Sequence, residues 1–435
     1  MKVVLSIKPE FANKIFDGSK KFEFRKSIFK NKEVQSIIVY ASSPVQKVIG
    51  EFEIGKIYHQ DLETLWNTTK DYSGISKEYF DKYFVNKEKG FAIQVKKMKK
   101  YILGFTITLA FFAFKRAHSD LLPIPEGWTT PVYDFSKNPL SKAKIEIGRA
   151  LFHDPILSAD NTISCVSCHS QFTAFAHTDH RLSHGIHDKI GTRNAPSLMN
   201  LAWQNVFMWD GAIHHLDVQS LAPISHPDEM GASIEHIVKK LQKLPHYQTA
   251  FEKAYGDSLV TGERVLKSLS QFMLTFVSAN SKYDKVKRGE TTFTPQEQNG
   301  YVLFQKNCNS CHQEPLFTTH KFENNGLPID TILNDWGRMK VTQKASDAMK
   351  FKIPTLRNIE FSYPYMHDGR FRKINDVLNH YIKGIENSPT LSPKLKTPTI
   401  LTSNDKVDLT AFLLTLTDKD FLFNRDYMYP RDFFK

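Results

Sequence analysis

Four cysteines are few for 435 residues, and none stands outside two pairs, Cys165/Cys168 and Cys308/Cys311. No thiol is left over to serve as a lipid-attachment cysteine. Long apolar runs are also missing. The one run that stands out, Ile102 to Phe114, has 13 residues, short of the roughly 20 that a membrane-spanning helix needs. Negative charge is in deficit, since 58 Lys+Arg face 46 Asp+Glu for a net of +12. Half of that excess lies in residues 1–97, which hold 18 basic and 12 acidic side chains. A basic segment suits an anionic partner such as nucleic acid; a lysine-rich soluble surface gives the same count. The hydrophobic share of 41% and charged share of 24% are ordinary for a globular protein. The length calls for two or three domains.

What the cysteines do have is company. Each pair is spaced C-x-x-C and followed at once by histidine, as Cys165-Val-Ser-Cys168-His169 and Cys308-Asn-Ser-Cys311-His312. This is the attachment pattern of c-type haem. Two thiols form thioethers with the porphyrin, and the adjacent imidazole ligates the iron. Structural zinc is the rival, but zinc sites gather their pairs within a few dozen residues, and 143 residues separate Cys165 from Cys308. A redox C-x-x-C needs no histidine at the next position.

Near residue 98 the chain changes character. Lys96, Lys97, Lys99 and Lys100 precede the Ile102–Phe114 run, and Lys115, Arg116 and a Pro-rich stretch follow it. A basic segment before a short apolar run reads as a secretory signal beginning at Met98. No clear small-x-small cleavage site follows, so cleavage and anchoring both stay open. Either Met98 is the natural start of the haem part and the upstream frame is an extension or fusion, or residues 1–97 stay cytoplasmic while the haem part is exported. The first is favoured, because c-type haem is attached outside the cytoplasm. The haem part is therefore expected in the periplasm.

Residues 1–95 resemble the ASCH family of small PUA-like β-barrels. The likeness rests on Leu5-Ser-Ile-Lys-Pro9, on Ile15–Arg25, on Ile38–Pro44 and on Val48–Glu53. Strands are expected at Ser36–Ala41 and Val48–Ile54, which are β-branched and aromatic-rich. The resemblance implies RNA or nucleotide binding, with Lys21, Glu23 and Arg25 near the cleft; a solvated charged face is the plainer account of those residues.

From residue 140 the chain repeats itself. Gly148-Arg-Ala-Leu151-Phe152 precedes the first haem motif, and Gly300-Tyr-Val-Leu303-Phe304 the second. Far downstream of each motif comes an amphipathic segment, Val265–Phe272 and Val407–Leu413, with apolar residues at i, i+3 and i+4. Each half then has an entry helix, a haem loop and a closing helix. The expected fold is mainly α-helical, with two cytochrome c-like domains in tandem behind the small β-barrel. The expected divisions are 1–97, a linker 98–122, 123–285 and 286–435.

Over residues 123–420 the sequence resembles the di-haem cytochrome c peroxidase and MauG superfamily. The blocks that carry the likeness, besides the haem motifs, are Arg193-Asn194-Ala-Pro196, Trp209-Asp-Gly211, Glu229-Met-Gly231, Pro354–Asn358 and Pro364-Tyr-Met-His-Asp-Gly369. The resemblance implies that His169 and His312 are proximal iron ligands. It implies that Glu229, with Gln219, moves protons beside the first iron, and that Trp209 relays electrons between the haems. The position after Trp-Asp-Gly, usually arginine, is Ala212 here. A loop histidine, His184 or His187, caps the first iron in some members; an open site is the favoured reading, and His177 and His180 count as polar loop residues. Peroxidases place methionine 17 residues after the proline of the last block. Here that position is Tyr381, as in tyrosine-ligated members, with Met366 as the rival ligand. Asn194 and the carbonyls of Ser362 and Pro364 match a Ca²⁺ site, whose oxygen donors suit that ion.

The function this implies is reduction of hydrogen peroxide, with electrons from a c-type cytochrome, a cupredoxin or an oxidisable substrate. The alternatives are a MauG-like oxidase acting through high-valent iron and a pure electron-transfer cytochrome, against which Glu229 argues. A homodimer is a family habit that nothing in the sequence tests.

Overall fold

The computed structural model describes residues 2–29, 31, 33–42, 47–101, 121–397 and 399–435. The apolar run Ile102–Phe114, and with it the signal reading, lies outside the described residues. Among the described residues no helix is long and apolar enough to cross a membrane. The chain divides into two compact units, Met1–Lys115 and Arg116–Lys435.

The first unit is a five-stranded mixed sheet with two layers of apolar packing. Its strands are β1 (Lys2–Ile7), β2 (Phe22–Arg25), β3 (Ser36–Ala41), β4 (Lys47–Asp61) and β5 (Lys89–Lys100), in the order β1-β3-β4-β5-β2. β1 runs parallel to β3, and the other pairs are antiparallel. Alternation places Ile37, Val39 and Ala41 of β3 in the core, as period-2 patterning requires. β4 outruns the expected Val48–Ile54 because register shifts after Phe52 and Ile54 let it bend and continue. Helices α1 (Pro9–Phe16), α2 (Leu62–Thr69) and α3 (Lys77–Tyr83) cover the sheet. β5 runs past residue 97: Met98 pairs with Phe52 and Lys100 with Gly50. The lysines read as the head of a signal are thus strand residues here.

The second unit is mainly helical, and its two halves are built alike. In the first half α4 (Lys142–His153) packs on α5 (Gly262–Leu274); in the second α6 (Pro295–Asn307) packs on α8 (Ser403–Leu414), with α7 (Ile374–Asn379) beside the latter. Hydroxyl side chains cap all four paired helices at their N-termini: Ser141, Thr261, Thr294 and Thr402. The closest approaches coincide. A Cβ on Gly148 would lie 1.9 Å from the carbonyl oxygen of Ser268, and one on Gly300 would lie 1.9 Å from that of Asp408. Glycine is needed at both because the helices cross with backbones in contact. Phe272 and Phe412, next to those contacts, are fully buried, each contributing on the order of 2–3 kcal/mol.

Two sets of contacts cross the division expected at 285/286. Tyr283 belongs to the core of the second half, together with Phe304, Phe317 and Phe412. The C-terminal segment returns to the first: Phe421, Leu422 and Tyr427 join the core of Phe152, Phe175 and Phe276. Tyr427 donates to the Thr275 carbonyl at 2.6 Å, and Arg149 and His153 hold the tail's carbonyls. An aromatic-rich tail gains more by covering the first core than by standing in water.

Candidate active site: two haem loops

The first attachment motif is a single helical turn, Cys165–Cys168, opened by the reciprocal hydrogen bonding of Ser164 and Ser167. His169 follows with its Nδ1 2.7 Å from the Phe175 carbonyl. That carbonyl can only accept, so Nδ1 carries the proton and Nε2 is left with its lone pair. Burial pushes this imidazole down to about 4, keeping it neutral as an iron ligand must be. The second motif repeats the device. His312 Nδ1 lies 3.2 Å from the Phe317 carbonyl and 3.1 Å from that of Pro354, and burial again pushes it down to about 4. All four thiols are free, and burial pushes Cys165 and Cys308 up to about 12.

Beside the first motif the loop that carries the histidines lies over the Glu229 block. Gly185 sits where a Cβ would be 2.1 Å from the Asp228 carbonyl, and Ile186 N–H donates to the Glu229 carbonyl at 2.7 Å. The Cys168 Sγ is 3.4 Å from the carbonyl of His184. Burial raises the Cys168 thiol to about 11, and the Glu229 carboxylate adds to the rise; both residues contact the same loop, Cys168 at His184 and Glu229 at Ile186. Glu229 itself is raised by burial, with Asp228 adding and His226 opposing. Of the two candidate capping histidines, His187 is 69% exposed and faces Asp160 at 3.8 Å. His184 is the one beside the motif, and its ring stacks on His180 at 4.2 Å. Gln219 does not join Glu229 by any hydrogen bond among the described residues; its amide instead meets Met208 Sδ at 3.7 Å.

The second motif opens on a cavity of about 260 Å³. Cys308, Cys311 and His312 line it together with Tyr381, Met366, Trp209 and Lys352. Tyr381 sits in a wide π-type turn, His380–Gly384, directly after α7; such turns aim side chains into sites that a regular helix would miss. Its hydroxyl, raised to about 12 by burial, is hydrogen-bonded by Asn325, which also meets Met366 Sδ at 3.5 Å. Both rival ligands therefore face one pocket. The duplication separates them. Phe207-Met208-Trp-Asp-Gly211 and Tyr365-Met366-His-Asp-Gly369 form the same turn, with Met208 at φ 68°, Met366 at φ 73° and matching bridges Phe207 to Ile213 and Tyr365 to Phe371. Gln219 on Met208 repeats as Asn325 on Met366. Methionine thus comes with the turn in both halves, whereas Tyr381 has no counterpart in this pattern. The repeated Met-x-Asp-Gly was visible in the sequence; Asn325 and Lys352 were not, since neither lies in a motif.

Trp209 donates its indole N–H to the Asn194 carbonyl at 2.8 Å, and the backbone N–H of Asn194 donates to the His367 carbonyl at 2.7 Å. Asn194, Ser362 and Pro364 all line the cavity. Among the described residues no hydrogen bond is made to Asn194 Oδ1 or to the carbonyls of Ser362 and Pro364. Ala212 stands where the resemblance expects an arginine, and two arginines from elsewhere in the chain reach the neighbouring Asp210. Arg193 pairs with its carboxylate at 2.6 Å, and Arg338 donates to its carbonyl at 2.9 Å.

In the first unit a pocket of about 130 Å³ is lined by Lys20, Glu23 and Arg25. Lys20, not Lys21, reaches it: Lys20 is buried 3.6 Å from Glu23, while Lys21 is exposed, with its ammonium 3.9 Å from the centre of the Tyr72 ring. Lys20 reaches the pocket because it precedes the edge strand β2 on its buried side.

Comparisons with known proteins agree with this arrangement. A family model described as di-haem cytochrome c peroxidase matches residues 142–292, a cytochrome c model matches 297–417, and an ASCH domain model matches 5–99. The chain is 36% identical over 291 residues to the methylamine utilization protein MauG of Methylorubrum extorquens, covering 64% of this chain and 79% of that one. It is 37% identical over 229 residues to the cytochrome c551 peroxidase of Nitrosomonas europaea, covering 52% and 68%. A crystal structure of a MauG-like protein associated with microbial copper homeostasis superposes with TM-score 0.63 at 29% identity, covering 71% of this chain and 99% of that one.

Proposed function

We propose that this chain, which belongs to the family of di-haem cytochrome c peroxidases and MauG proteins, reduces hydrogen peroxide to water at its first haem, with electrons relayed through the second. The observation that carries the reading is Glu229, a carboxyl raised by burial against the loop that also meets the Cys168 attachment thiol. Haem c supplies the redox iron; Cys165, Cys168 and His169 would hold one haem, and Cys308, Cys311 and His312 the other. The balance is H₂O₂ plus two electrons and two protons to two waters. A carboxyl raised by burial can take a proton from one peroxide oxygen and deliver it to the other, so that the second leaves as water. Gln219 would orient peroxide, and Trp209, on the lining of the second cavity, would pass electrons. The first iron is open in this reading; His187 is turned to solvent, and His184, beside the motif with its ring stacked on His180, is the rival cap. Peroxide turnover by a haem-loaded Glu229→Gln variant is expected to fall 10²- to 10⁴-fold with both haem spectra intact. Undiminished turnover would remove Glu229 from the reaction.

A second reading, a MauG-like oxidase, draws on Tyr381. A phenolate ligand favours the oxidised iron, and a thioether the reduced. Tyr381→Phe should change the ferric spectrum of the second haem and leave the first alone; an unchanged spectrum assigns the ligand to Met366. Asn194, Ser362 and Pro364 line one cavity with oxygens that accept no hydrogen bond among the described residues, and such oxygens suit a Ca²⁺ that would tie the halves together. The electron donor is a small redox protein or an oxidisable substrate. The haem part is assigned to the periplasm, where thioether attachment takes place, and the basic pocket of the first unit to RNA.

A further inference from the structure

Lys352 is the unexplained cation of the second cavity. It lies in a two-residue strand, Phe351–Lys352, whose backbone is pinned by donation from Lys352 N–H to the Trp209 carbonyl at 2.7 Å. Its ammonium donates to Gln204 Oε1 at 3.0 Å and to the Val206 carbonyl at 3.1 Å. An ammonium has three protons, so one remains. Among the described residues no carboxylate lies within ion-pair distance of it. The carboxylates nearby are committed elsewhere: Asp210 to Arg193 at 2.6 Å, and Glu323 on the same lining to Lys394 at 3.7 Å. Burial pushes the ammonium down to about 8. His320, also on the lining, is pushed down to about 4 by burial and by Lys352. This part of the cavity wall carries positive charge that no anion among the described residues matches, and a buried charge left unpaired is unfavourable.

The cavity's other residues name the missing anion. It is lined by Cys308, Cys311 and His312, and a haem brings two propionate carboxylates with it. We propose that Lys352 receives a propionate of the second haem and so sets that haem's reduction potential without touching its iron. This rests on the second haem occupying the cavity, which a haem count per chain tests separately.

A cation beside a propionate favours adding an electron, so its removal disfavours reduction. In the haem-loaded full chain, Lys352→Gln is expected to lower the reduction equilibrium constant of the second haem at least tenfold, which is 59 mV for one electron. Lys352→Arg should restore most of it, and the first haem should hold its value. A Lys352→Gln protein with two haems and an unchanged second potential overturns the proposal, even if its stability has dropped, since that is the result of a mere lock on Gln204 and Val206. Should Lys352→Gln fail to take up haem, the propionate deformation band in the resonance Raman spectrum is compared between the wild type and Lys352→Arg. A shift is expected, and an identical band overturns the proposal.

Discussion

The two halves of the haem unit share a frame and differ in what they hang on it. Both cross their helices at a glycine, both point the imidazole Nδ1 at a phenylalanine carbonyl, and both carry a Met-x-Asp-Gly turn closed by a bridge. The first half then adds Glu229 and a histidine-rich loop. The second adds a tyrosine on a π-type turn and a lysine that has no carboxylate within ion-pair distance among the described residues. Haem retention is thus a property of the frame, and the division of labour comes from a few side chains outside it. Packing constraints act on the frame residues from all sides, whereas Glu229, Tyr381 and Lys352 stand outside the repeated contacts.

The Arg-Asn pair shows the same split and offers the largest test. Arg193-Asn194 and Arg357-Asn358 recur, but the arginines serve different ends. Arg357 is fully buried, holds Asp284 through two hydrogen bonds of 2.8 and 2.7 Å, and donates to the Pro315 carbonyl at 2.9 Å. Its ion pair closes the second half from within. Arg357→Ala strands Asp284 as a buried charge and should cost about 3–5 kcal/mol, measured by denaturant unfolding of the haem-loaded protein. A loss under about 1 kcal/mol would mean that water reaches Asp284 and that the pair is not a closed lock.

Arg193 works between the halves. It joins Asp210, in the first, to Asp335, in the second, at 2.6 Å each. Burial alone would raise Asp335, but the bonds from Arg193 outweigh it and hold the carboxyl at about 2. The folded value lies below the ordinary 3.8, so this contact stabilises the fold fully above about pH 4. The contribution, about 2 kcal/mol, is lost as pH falls through about 2. Stability measured between pH 5 and pH 2 should therefore slope downward, and Arg193→Ala should flatten that slope. An unaltered slope in the variant would move the acid sensitivity to other carboxylates.

What could be read in the sequence follows the same line. The haem loops were legible because the chemistry fixes Cys-x-x-Cys-His locally. The helix pairs were legible because Gly148, Gly300, Phe272 and Phe412 sit on periodic stripes. Tyr381 was found by its distance from Pro364, without the π-type turn that presents it. Contacts that close through space left no local mark: Arg193 with Asp335, Asn325 with Met366, and the return of Phe421 and Tyr427 to the first core. Nor did the burial of Lys20 beside Glu23 in the first unit leave one, because a turn before an edge strand has no period to read.

The smallest test sits at the variable position of the two Met-x-Asp-Gly turns. Trp209 in the first stands where His367 stands in the second, and the Asn194 peptide lies between them, accepting from one and donating to the other. His367 stacks on Phe351 at 3.6 Å and uses its backbone for the contact, so its ring is replaceable there. Trp209 uses its indole. Trp209→Phe loses one hydrogen bond, about 1 kcal/mol, and an oxidisable ring on the wall of the second cavity. His367→Phe keeps the backbone contact and the stack. If Trp209 relays electrons, rapid-mixing measurements should show slower electron transfer from the second haem to the first in Trp209→Phe, and an unaltered rate in His367→Phe. Equal rates in both variants would reduce Trp209 to a packing residue, and the frame alone would then carry the electron between the halves.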